Sequence, residues 1–564
     1  MADTARPTDR TGPTPTDMER EGVALSAALG VDAKAITDAW AMVVGAAARQ
    51  PAALFEAYSG FWRDFGSILF GTSDLAPTAG DARFRDSAWS DNPVYRRIGQ
   101  SYLAWTKALD TWLEKSGLVG MDRERARFVL DAAKDVLAPM NTFAGNPEAL
   151  AKATETRGAS LTGGLRNFVH DLQHNHGYPA VADRDAFELG RDVAATPGAV
   201  VFRNEVFELL QYAPTTEHVR TTPLLYIFSQ VNRFYLGDLT PDRSLFRRLL
   251  DAGVPVYAMS WRNPKPEQRH WNLGTYAGAA IEAIEAIREI GGSEQVDVMG
   301  LCAGGLVATA AAGVLQARDE DPIRSLSLVV SILDNHPEDS DFGLFVSERS
   351  VAAQKAVVRA KGLFAEKDVF EMFAMLRIEE NVMSFLRSNY LLGEAPPKHP
   401  LLFWSMDYTR VPAEMQCDFL DLAWRNDLAR GELELLGERI DLGAIDYPVY
   451  ILAGSTDHIT PWKGCYRSAR LFGGDVRFVL TNQNHTQTIC AREDNRHLKY
   501  WIGEALPEDP DAWPEHVQEY GGAWTADWID WLRHGSDETA PAGDTLGNAD
   551  YPVLEAAPGQ YVRT

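Results

Sequence analysis

The sequence predicts an α/β fold: a mostly parallel sheet with helices on both faces, preceded by a helical N-terminal region. Three observations lead to this prediction. From about residue 199, short apolar segments alternate with helical ones, as in parallel sheets. Between about residues 18 and 145, apolar residues recur at spacings of three and four, which is typical of amphipathic helices. One apolar segment, 296–299, runs into a glycine-rich turn and then an alanine-rich helix.

Length and charge limit the function classes that the chain can belong to. Its 564 residues are enough for a large core and two domains. The formal net charge of −25 argues against a nucleic-acid binder, which would need a basic face. The four cysteines are too few for a disulfide scaffold and predict a reducing compartment, the cytoplasm. These cysteines are Cys302, Cys417, Cys465 and Cys490.

Composition and periodicity divide the chain into four predicted parts. Residues 1–20 are rich in Pro, Thr and Asp, contain no apolar signal-peptide core, and are predicted to be disordered. Residues 21–185 form a helical domain, and residues 186–534 form the α/β catalytic domain. Residues 535–564 are rich in Asp, Gly and Pro and are predicted to be a flexible C-terminal tail.

The predicted strands of the α/β part are interrupted once. Strand–helix alternation stops at about residues 334–436, which read as mostly helical. An insertion of this kind, on the side of the sheet where ligands bind, predicts a movable cap. Residues 298–315 carry no charge over the length of a membrane span, but their glycine turn would break a spanning helix, so we predict no transmembrane segment. The predicted strands are 223–228, 254–259, 296–299, 326–331, 448–453 and 476–480.

The glycine-rich turn contains a candidate nucleophile, Cys302. The segment Gly300-Leu301-Cys302-Ala303-Gly304-Gly305 fits the strand–turn–helix context of a G-x-S-x-G nucleophile elbow, with Cys in place of Ser. A side chain at Gly300 or Gly304 would crowd such a turn. On its own, the motif is equally compatible with a buried structural cysteine.

An acid and a base follow in the expected order. Asp457 comes after the strand 448–453, and His485 comes after the strand 476–480. A thiol needs a base to form thiolate, and the base needs an acid to fix its tautomer. Either residue alone could be an ordinary turn Asp or loop His. Nucleophile, acid and base at three strand ends, in this order, predict a Cys-His-Asp triad on an α/β-hydrolase-like fold.

Two further assignments complete the predicted site. His458 stands beside Asp457 and is an alternative base, but we prefer His485 because it follows the last strand. The backbone N–H of Ala303, the residue after the nucleophile, is one predicted oxyanion donor. The backbone N–H of Val231, in the loop after an early strand, is the other.

Around these residues the sequence resembles the polyhydroxyalkanoate synthases, which polymerise (R)-3-hydroxyacyl-CoA. The likeness extends from about Gly158 to Trp531, and SWRNP and DHITPW beside a Cys elbow are specific to that family among α/β-hydrolase relatives. The segments that carry it are RNFVHDL (166–172), FELGRDVAATPGAVVFRNEVFELLQYAP (187–214), VNRFYLGDL (231–239), SWRNP (260–264), GLCAGG (300–305), LRSNYLLGE (386–394) and DHITPW (457–462).

The resemblance implies roles and partners. It makes Cys302 the acylated nucleophile, His485 the base and Asp457 the third member, in a synthase of the single-polypeptide type. The implied partners are (R)-3-hydroxyacyl-CoA, the growing polyester chain, the granule surface in the cytoplasm and a second copy in a homodimer. No cofactor is expected, since CoA is a leaving group of the substrate. No metal site is expected either, and we interpret His174 and His176 as an exposed loop.

The sequence departs from the family pattern around the triad. Phe228-Ser229-Gln230-Val231 stands where a Pro-Pro-Trp-Ile-like stretch is usual, and Gln483-Asn484-His485-Thr486 stands where Ser-Gly-His-Ile is usual. An acyl-CoA thioesterase or polyester hydrolase with the same triad is therefore an alternative, as is a weakly active granule-surface protein. Arg262 and Lys265 are candidates for binding CoA phosphates, although solvated surface charge is the simpler interpretation.

Overall fold

The computed structural model describes residues 33–341, 343–503, 505–534 and 538–564. The segment 1–20, which the sequence predicts to be disordered, lies outside them. The described residues form two compact units. One, the sheet unit, contains Phe187–Val369 and Trp404–Thr564. The other, the helical unit, contains Phe370–Phe403 together with residues up to Ala186.

The sheet unit is built around one large β-sheet, which confirms the predicted α/β fold. Small two-stranded pairings join β3 to β16, β8 to β9 and β10 to β11. The strands are β1 (Gly198–Arg203), β2 (Phe207–Tyr212), β3 (His218–Arg220), β4 (Leu224–Ile227), β5 (Val256–Trp261), β6 (Val296–Leu301), β7 (Ile323–Val329), β8 (Leu363–Phe364), β9 (Val411–Pro412), β10 (Glu434–Leu435), β11 (Glu438–Arg439), β12 (Val449–Gly454), β13 (Val476–Thr481), β14 (Lys499–Gly503), β15 (Val517–Gly521), β16 (Thr539–Pro541) and β17 (Glu555–Ala556).

The order of the strands places the predicted site at one edge of the sheet. Among the described residues the main sheet has 11 strands in the order β15-β14-β13-β12-β7-β6-β4-β5-β2-β1-β17. The central run from β13 to β5 is parallel. Antiparallel strands flank it on both sides. Because parallel strands end at the same edge, the residues that follow β4, β6, β12 and β13 meet there.

The first helices of the chain precede the strands and belong to the helical unit, and the later helices follow β4 or a later strand. The helical unit contains α1 (Ala33–Arg49), α2 (Pro51–Phe70), α3 (Ala88–Asp91), α4 (Pro93–Lys115), α5 (Gly120–Val136), α6 (Pro147–Glu155) and α7 (Ala159–His174). The later helices are α8 (Leu245–Asp251), α9 (Leu273–Gly291), α10 (Ala303–Ala317), α11 (Glu348–Lys361), α12 (Glu366–Leu376), α13 (Pro400–Ser405), α14 (Ala413–Arg425), α15 (Trp462–Ala469), α16 (Gln487–Cys490) and α17 (Thr525–Arg533).

The uncharged stretch 298–315 is a buried strand followed by a buried helix. Every residue of β6 is buried, and so are most residues of α10. This explains why the segment needs no charge: nearly all of its residues face protein. Across the part of the chain that the structure describes, no helix combines the length and the apolar character that crossing a bilayer requires.

In the helical unit, two of the family-like segments pack against each other. A Cβ added to Gly164 on α7 would lie 1.9 Å from the carbonyl oxygen of Tyr390, so only glycine allows this approach. The Asn167 amide donates to the carbonyl oxygen of Asn389 at 2.9 Å. The buried Asn389 amide in turn donates to the carbonyl oxygen of Ala180 at 2.7 Å. Residues 166–172 and 386–394 therefore form one packed element.

The predicted cap at about 334–436 is not one continuous part of the sheet unit. Residues 370–403 group with the helical unit, whereas the segments on either side group with the sheet. The physical reason is the packing of Tyr390 and Gly393 on α7, where a Cβ on Gly393 would lie 2.2 Å from the carbonyl oxygen of Ser160. The predicted motion of a cap over Cys302 stays a prediction.

Residues 538–564 differ from the predicted flexible tail. β17 pairs antiparallel with β1 and extends the main sheet, and β16 pairs with β3. Beyond β17, the backbone N–H groups of Gln560 and Tyr561 each donate to the Glu208 carboxylate at 3.0 Å. Glu208 is fully buried, so its charge needs such donors. A Gly- and Pro-rich composition resembles disorder, but these backbone contacts fix the segment.

Candidate active site

Cys302 lies in the turn between β6 and α10. Its backbone has φ 52° and ψ −126°, a combination that costs energy for any residue with a side chain. Three hydrogen bonds hold it there. The Cys302 N–H donates to the carbonyl oxygen of Val329 at 2.9 Å, and its carbonyl oxygen accepts from Gly305 N–H and Ser331 Oγ, each at 2.9 Å. The strained turn is thus fixed by its surroundings and holds the partly exposed thiol out of the sheet.

The two glycines of the motif are required by close backbone contacts. A Cβ on Gly300 would lie 2.6 Å from Cα of Gly305. A Cβ on Gly304 would lie 2.4 Å from the carbonyl oxygen of Ile227 and 2.6 Å from the carbonyl carbon of Phe228. The crowding that the sequence predicts is therefore present. The same contact shows that the loop after β4 passes directly against the start of α10.

Asp457 and His485 come together from the ends of β12 and β13. His485 Nδ1 lies 2.7 Å from Asp457 Oδ2. The other carboxylate oxygen, Oδ1, accepts from the N–H groups of Ile459 at 2.8 Å and Thr460 at 2.9 Å. Asp457 is 6% exposed, and both of its oxygens have donors. This arrangement fixes the imidazole with Nδ1 toward the carboxylate.

Two residues of the site were not predicted from the sequence. Thr460 Oγ1 donates to Asp457 Oδ2 at 2.7 Å and lies 3.1 Å from His485 Nδ1. Its signal was available in DHITPW, because an Asp side chain commonly bonds the backbone two and three residues on. Ser331, which holds the Cys302 carbonyl, follows β7 and has no comparable signal.

Charges and hydrogen bonds link the three side chains. Burial alone would raise the pKa of Asp457, but the neighbouring His485 and the donors around the carboxylate lower it overall. Burial alone would lower the pKa of His485, but the charges of Asp457 and Cys302 and hydrogen bonds to both raise it well above its ordinary value. Since Nδ1 faces Asp457, Nε2 is the ring nitrogen left to act on Cys302.

Cys302 differs physically from the other three cysteines. Burial raises the pKa of Cys417 and of Cys490 to about 11, and raises the pKa of Cys465 well above its usual range. Cys302 is partly exposed, lies near enough to His485 to affect the pKa of that imidazole, and stands at the N-terminus of the 15-residue α10. The helix dipole favours a negative charge at that end, as a thiolate requires.

The two predicted oxyanion donors differ in their hydrogen bonding. Ala303 is the first residue of α10, so its N–H has no partner within the helix. The Val231 N–H donates to Ser229 Oγ at 3.3 Å, a long bond that an oxyanion would have to displace. Thr409 fixes this loop, because its hydroxyl donates to the carbonyl oxygen of Gln230 at 2.6 Å and its N–H to that of Val231 at 3.1 Å.

Removing the Ser229 hydroxyl is expected to increase turnover. Ser229→Ala frees the Val231 N–H, and the net value of one hydrogen bond corresponds to a gain in kcat of about two- to tenfold. The measurement is the steady-state rate of CoA release from (R)-3-hydroxybutyryl-CoA, a member of the substrate class that the sequence resemblance implies. Ser229→Thr keeps the hydroxyl and serves as the matched control. An unchanged or lower kcat in Ser229→Ala would rule out Val231 as a donor.

The remaining candidates lie outside the cluster formed by Cys302, Asp457 and His485. His458 is partly exposed next to Asp457, whose carboxylate bonds to His485. The Arg262 guanidinium lies 5.5 Å from the ring centre of Tyr561. The others are exposed at the surface: Lys265, His174 and His176.

A strained cysteine between a strand and a helix, with a carboxylate and an imidazole after two later parallel strands, is the arrangement typical of α/β-hydrolase-fold proteins. The profile described as alpha/beta hydrolase fold matches residues 235–485. The profile described as poly-beta-hydroxybutyrate polymerase (PhaC) N-terminus matches residues 80–249.

Relatives narrow this class to one family. The chain is 40% identical over 95% of its length to poly(3-hydroxyalkanoate) polymerase 1 of Ectopseudomonas oleovorans, of which it covers 96%. It is 41% identical over 88% of its length to polymerase 2 of that organism, covering 89% of it. It is 35% identical over 91% to the polymerase subunit PhaC of Cupriavidus necator, covering 89%. The chain belongs to the poly(3-hydroxyalkanoate) polymerase family of acyltransferases, which confirms the resemblance found in the sequence.

Proposed function

We propose that the protein polymerises (R)-3-hydroxyacyl groups from CoA thioesters into polyester, through a covalent acyl intermediate on Cys302. The observation that carries this proposal is the hydrogen-bonded pair of Asp457 and His485, which lies close enough to the partly exposed Cys302 thiol for that thiol to contribute to the raised pKa of the imidazole. The names of the relatives, poly(3-hydroxyalkanoate) polymerases, support the substrate class and the product.

The first step transfers the acyl group to the enzyme. Cys302 Sγ attacks the thioester carbonyl carbon, and the new C–S bond forms as the bond to the CoA sulfur breaks. His485 takes the thiol proton and delivers it to the departing CoA sulfur. The developing oxyanion is stabilised by backbone N–H groups, with Ala303 at the start of α10 as one donor. Because one thioester replaces another, the acyl group stays activated.

The second step extends the polymer. The hydroxyl of another 3-hydroxyacyl unit attacks the acyl-Cys302 carbonyl carbon, His485 accepts the hydroxyl proton, and the C–S bond breaks to release the Cys302 thiolate. Asp457 stabilises the imidazolium that forms and keeps its orientation. The product is an oxyester, which is more stable than the thioester. These steps balance without a cofactor or metal ion, since the thioester itself supplies the driving force.

Exposed apolar side chains of α2 support the further proposal of contact with the polyester granule. Leucine and aromatic residues along this one helix remain open to solvent in the described structure, and a surface of this kind suits an apolar, insoluble product. We also propose that the protein forms a homodimer, as the sequence resemblance implies. The exposed residues are Leu54, Phe55, Tyr58, Trp62, Leu69 and Phe70.

A hydrolase with the same triad is the second candidate, and one observation favours it. Ser229 and Gln230 are buried polar residues in the loop that passes against α10, where they can bind water. Water that attacks acyl-Cys302 in place of a hydroxyl would give a free 3-hydroxy acid. The two candidates thus share the first step and differ in the second.

The fate of the acyl group after CoA release distinguishes the two candidates. Purified protein is incubated with (R)-3-hydroxybutyryl-CoA, and free CoA, free 3-hydroxybutyrate and chloroform-soluble polyester are measured together. We expect polyester to account for most of the released CoA, with free acid as a minor product. Free acid as the main product, without polyester, would reject the polymerase proposal in favour of the hydrolase.

A further inference from the structure

Gln230 is a buried side chain whose polar atoms are unused. It is 3% exposed, yet neither its Oε1 nor its Nε2 has a hydrogen-bond partner among the described residues. Leaving a buried donor or acceptor unpaired destabilises the fold, because the group loses its bonds to water and gains none in the protein. Buried polar groups in folded proteins are almost always paired, so an unpaired carboxamide of this kind points to a ligand.

The position of Gln230 connects it to the active site. It lies three residues after β4, the strand adjacent to β6. Phe228 lies two residues before Gln230, and Gly304 lies two residues after Cys302. A Cβ added to Gly304 would lie 2.6 Å from the carbonyl carbon of Phe228. Since consecutive Cα atoms are 3.8 Å apart, the Cα of Gln230 is within about 7.6 Å of that of Phe228.

The backbone on both sides of Gln230 is fixed. The Phe228 carbonyl oxygen accepts from Trp261 Nε1 at 2.8 Å, and the Gln230 carbonyl oxygen accepts from the Thr409 hydroxyl at 2.6 Å. Asn232 forms an antiparallel bridge with Tyr408. With its main chain held in this way, Gln230 presents its carboxamide from a rigid loop, as a group that positions substrate requires.

We propose that the Gln230 carboxamide binds the 3-hydroxyacyl group of the substrate, which makes it a residue that selects for the hydroxyl. Oε1 accepts from the 3-hydroxyl, and Nε2 donates to the acyl carbonyl oxygen. The two substrate oxygen atoms are separated by three carbon atoms, C3, C2 and C1, so one planar carboxamide can reach both. This inference rests on the proposed function and adds the substrate feature that is recognised.

The inference predicts discrimination between two thioesters. A site with a polar group for a substrate hydroxyl disfavours the analogue that lacks it, because the buried group is then left unpaired. Wild-type protein is expected to release CoA in a single turnover about 10- to 100-fold faster from (R)-3-hydroxybutyryl-CoA than from butyryl-CoA. Gln230→Met, which keeps the length and removes both polar atoms, should bring this ratio to within about threefold of one.

Stability provides an independent readout. Removing an unpaired buried carboxamide should leave the Tm of Gln230→Met unchanged or higher. The matched control is Gln268→Leu. Gln268 is also buried, but its Oε1 accepts from Lys265 N–H at 2.9 Å and its Nε2 donates to Glu205. This control should lower Tm and leave the thioester ratio unchanged. Gln230→Leu repeats the test with a second apolar side chain.

The outcomes separate this inference from the proposed function. An unchanged thioester ratio in both Gln230 variants, equal slowing with both thioesters, or a clear drop in Tm would overturn the role of Gln230. If Cys302→Ala releases CoA normally, the proposed function fails. If Cys302→Ala is inactive while Gln230→Met keeps the wild-type ratio, only the role of Gln230 fails.

Discussion

Cys302→Ala is expected to abolish CoA release from (R)-3-hydroxybutyryl-CoA. The substitution removes the atom that would carry the acyl group, and the other three thiols are buried. Cys417, Cys465 and Cys490 are buried, and burial raises the pKa of each thiol. Thiolate is the reactive form of cysteine, so these residues are poor nucleophiles. The measurement is CoA release, followed together with the mass of the trapped acyl-enzyme.

Two of the buried cysteines provide controls for this result. Cys417→Ala and Cys490→Ala should keep wild-type CoA release, since both thiols are buried and neither takes part in the proposed mechanism. The acyl adduct should map to the peptide that contains Cys302. Near-normal turnover in Cys302→Ala, or an adduct on one of the other three cysteines, would show that the elbow does not hold the nucleophile.

His485→Gln is expected to reduce CoA release at least about 10²-fold, the lower end for loss of a general base. Glutamine can still accept a hydrogen bond from its surroundings, but it cannot take a proton from the thiol or return one to the leaving group. His458→Gln is the matched control, because His458 is adjacent to Asp457 and was the alternative base. The opposite result, a large loss in His458→Gln and a small one in His485→Gln, would exchange their roles.

The same variant should also change the pH dependence of stability. The pKa of His485 is raised in the folded state. Its contribution to the free energy of unfolding is therefore fully present below pH 6.5, the ordinary pKa of histidine, and is lost as the pH rises above that value. The pKa of Asp457 is lowered. Its contribution to the free energy of unfolding is therefore present above pH 3.8, the ordinary pKa of aspartate, and is lost as the pH falls below that value. The Tm difference between wild type and His485→Gln should therefore be largest between these values and decrease above pH 6.5. A Tm difference that grows as the pH rises above 6.5 would contradict the raised pKa of His485.

The sequence predicted the features that depend on local pattern. Strand–helix alternation gave the sheet, because burial on both faces makes parallel strands recognisable as short apolar runs. Two local patterns identified the residues that the structure brings together. One is the glycine-rich turn around Cys302, and the other is the position of Asp457 and His485 directly after their strands. In parallel strands, position at the carboxyl end largely decides which side chains meet, and that position can be read from the sequence.

Features that depend on distant contacts could not be predicted. Gly164 and Gly393 allow close backbone approaches between segments more than 220 residues apart, and these approaches divide the predicted cap between two units. The segment after residue 538 has a loop-like composition, but Glu208 on β2 supplies its acceptor. Likewise, the carboxamide of Gln230 lacks a hydrogen-bond partner within the described part of the chain because of the residues that lie near it in space, and these residues cannot be inferred from its neighbours in sequence.

The contrast between one accessible thiol and three buried ones has a practical consequence for enzymology. Cys302 is the partly exposed cysteine among the four, so a single equivalent of a small thiol-alkylating reagent should react with it under native conditions. The amount of reagent incorporated per chain then counts competent molecules in a preparation. Rates can accordingly be expressed per active centre, which matters for an enzyme whose product separates from solution during the assay.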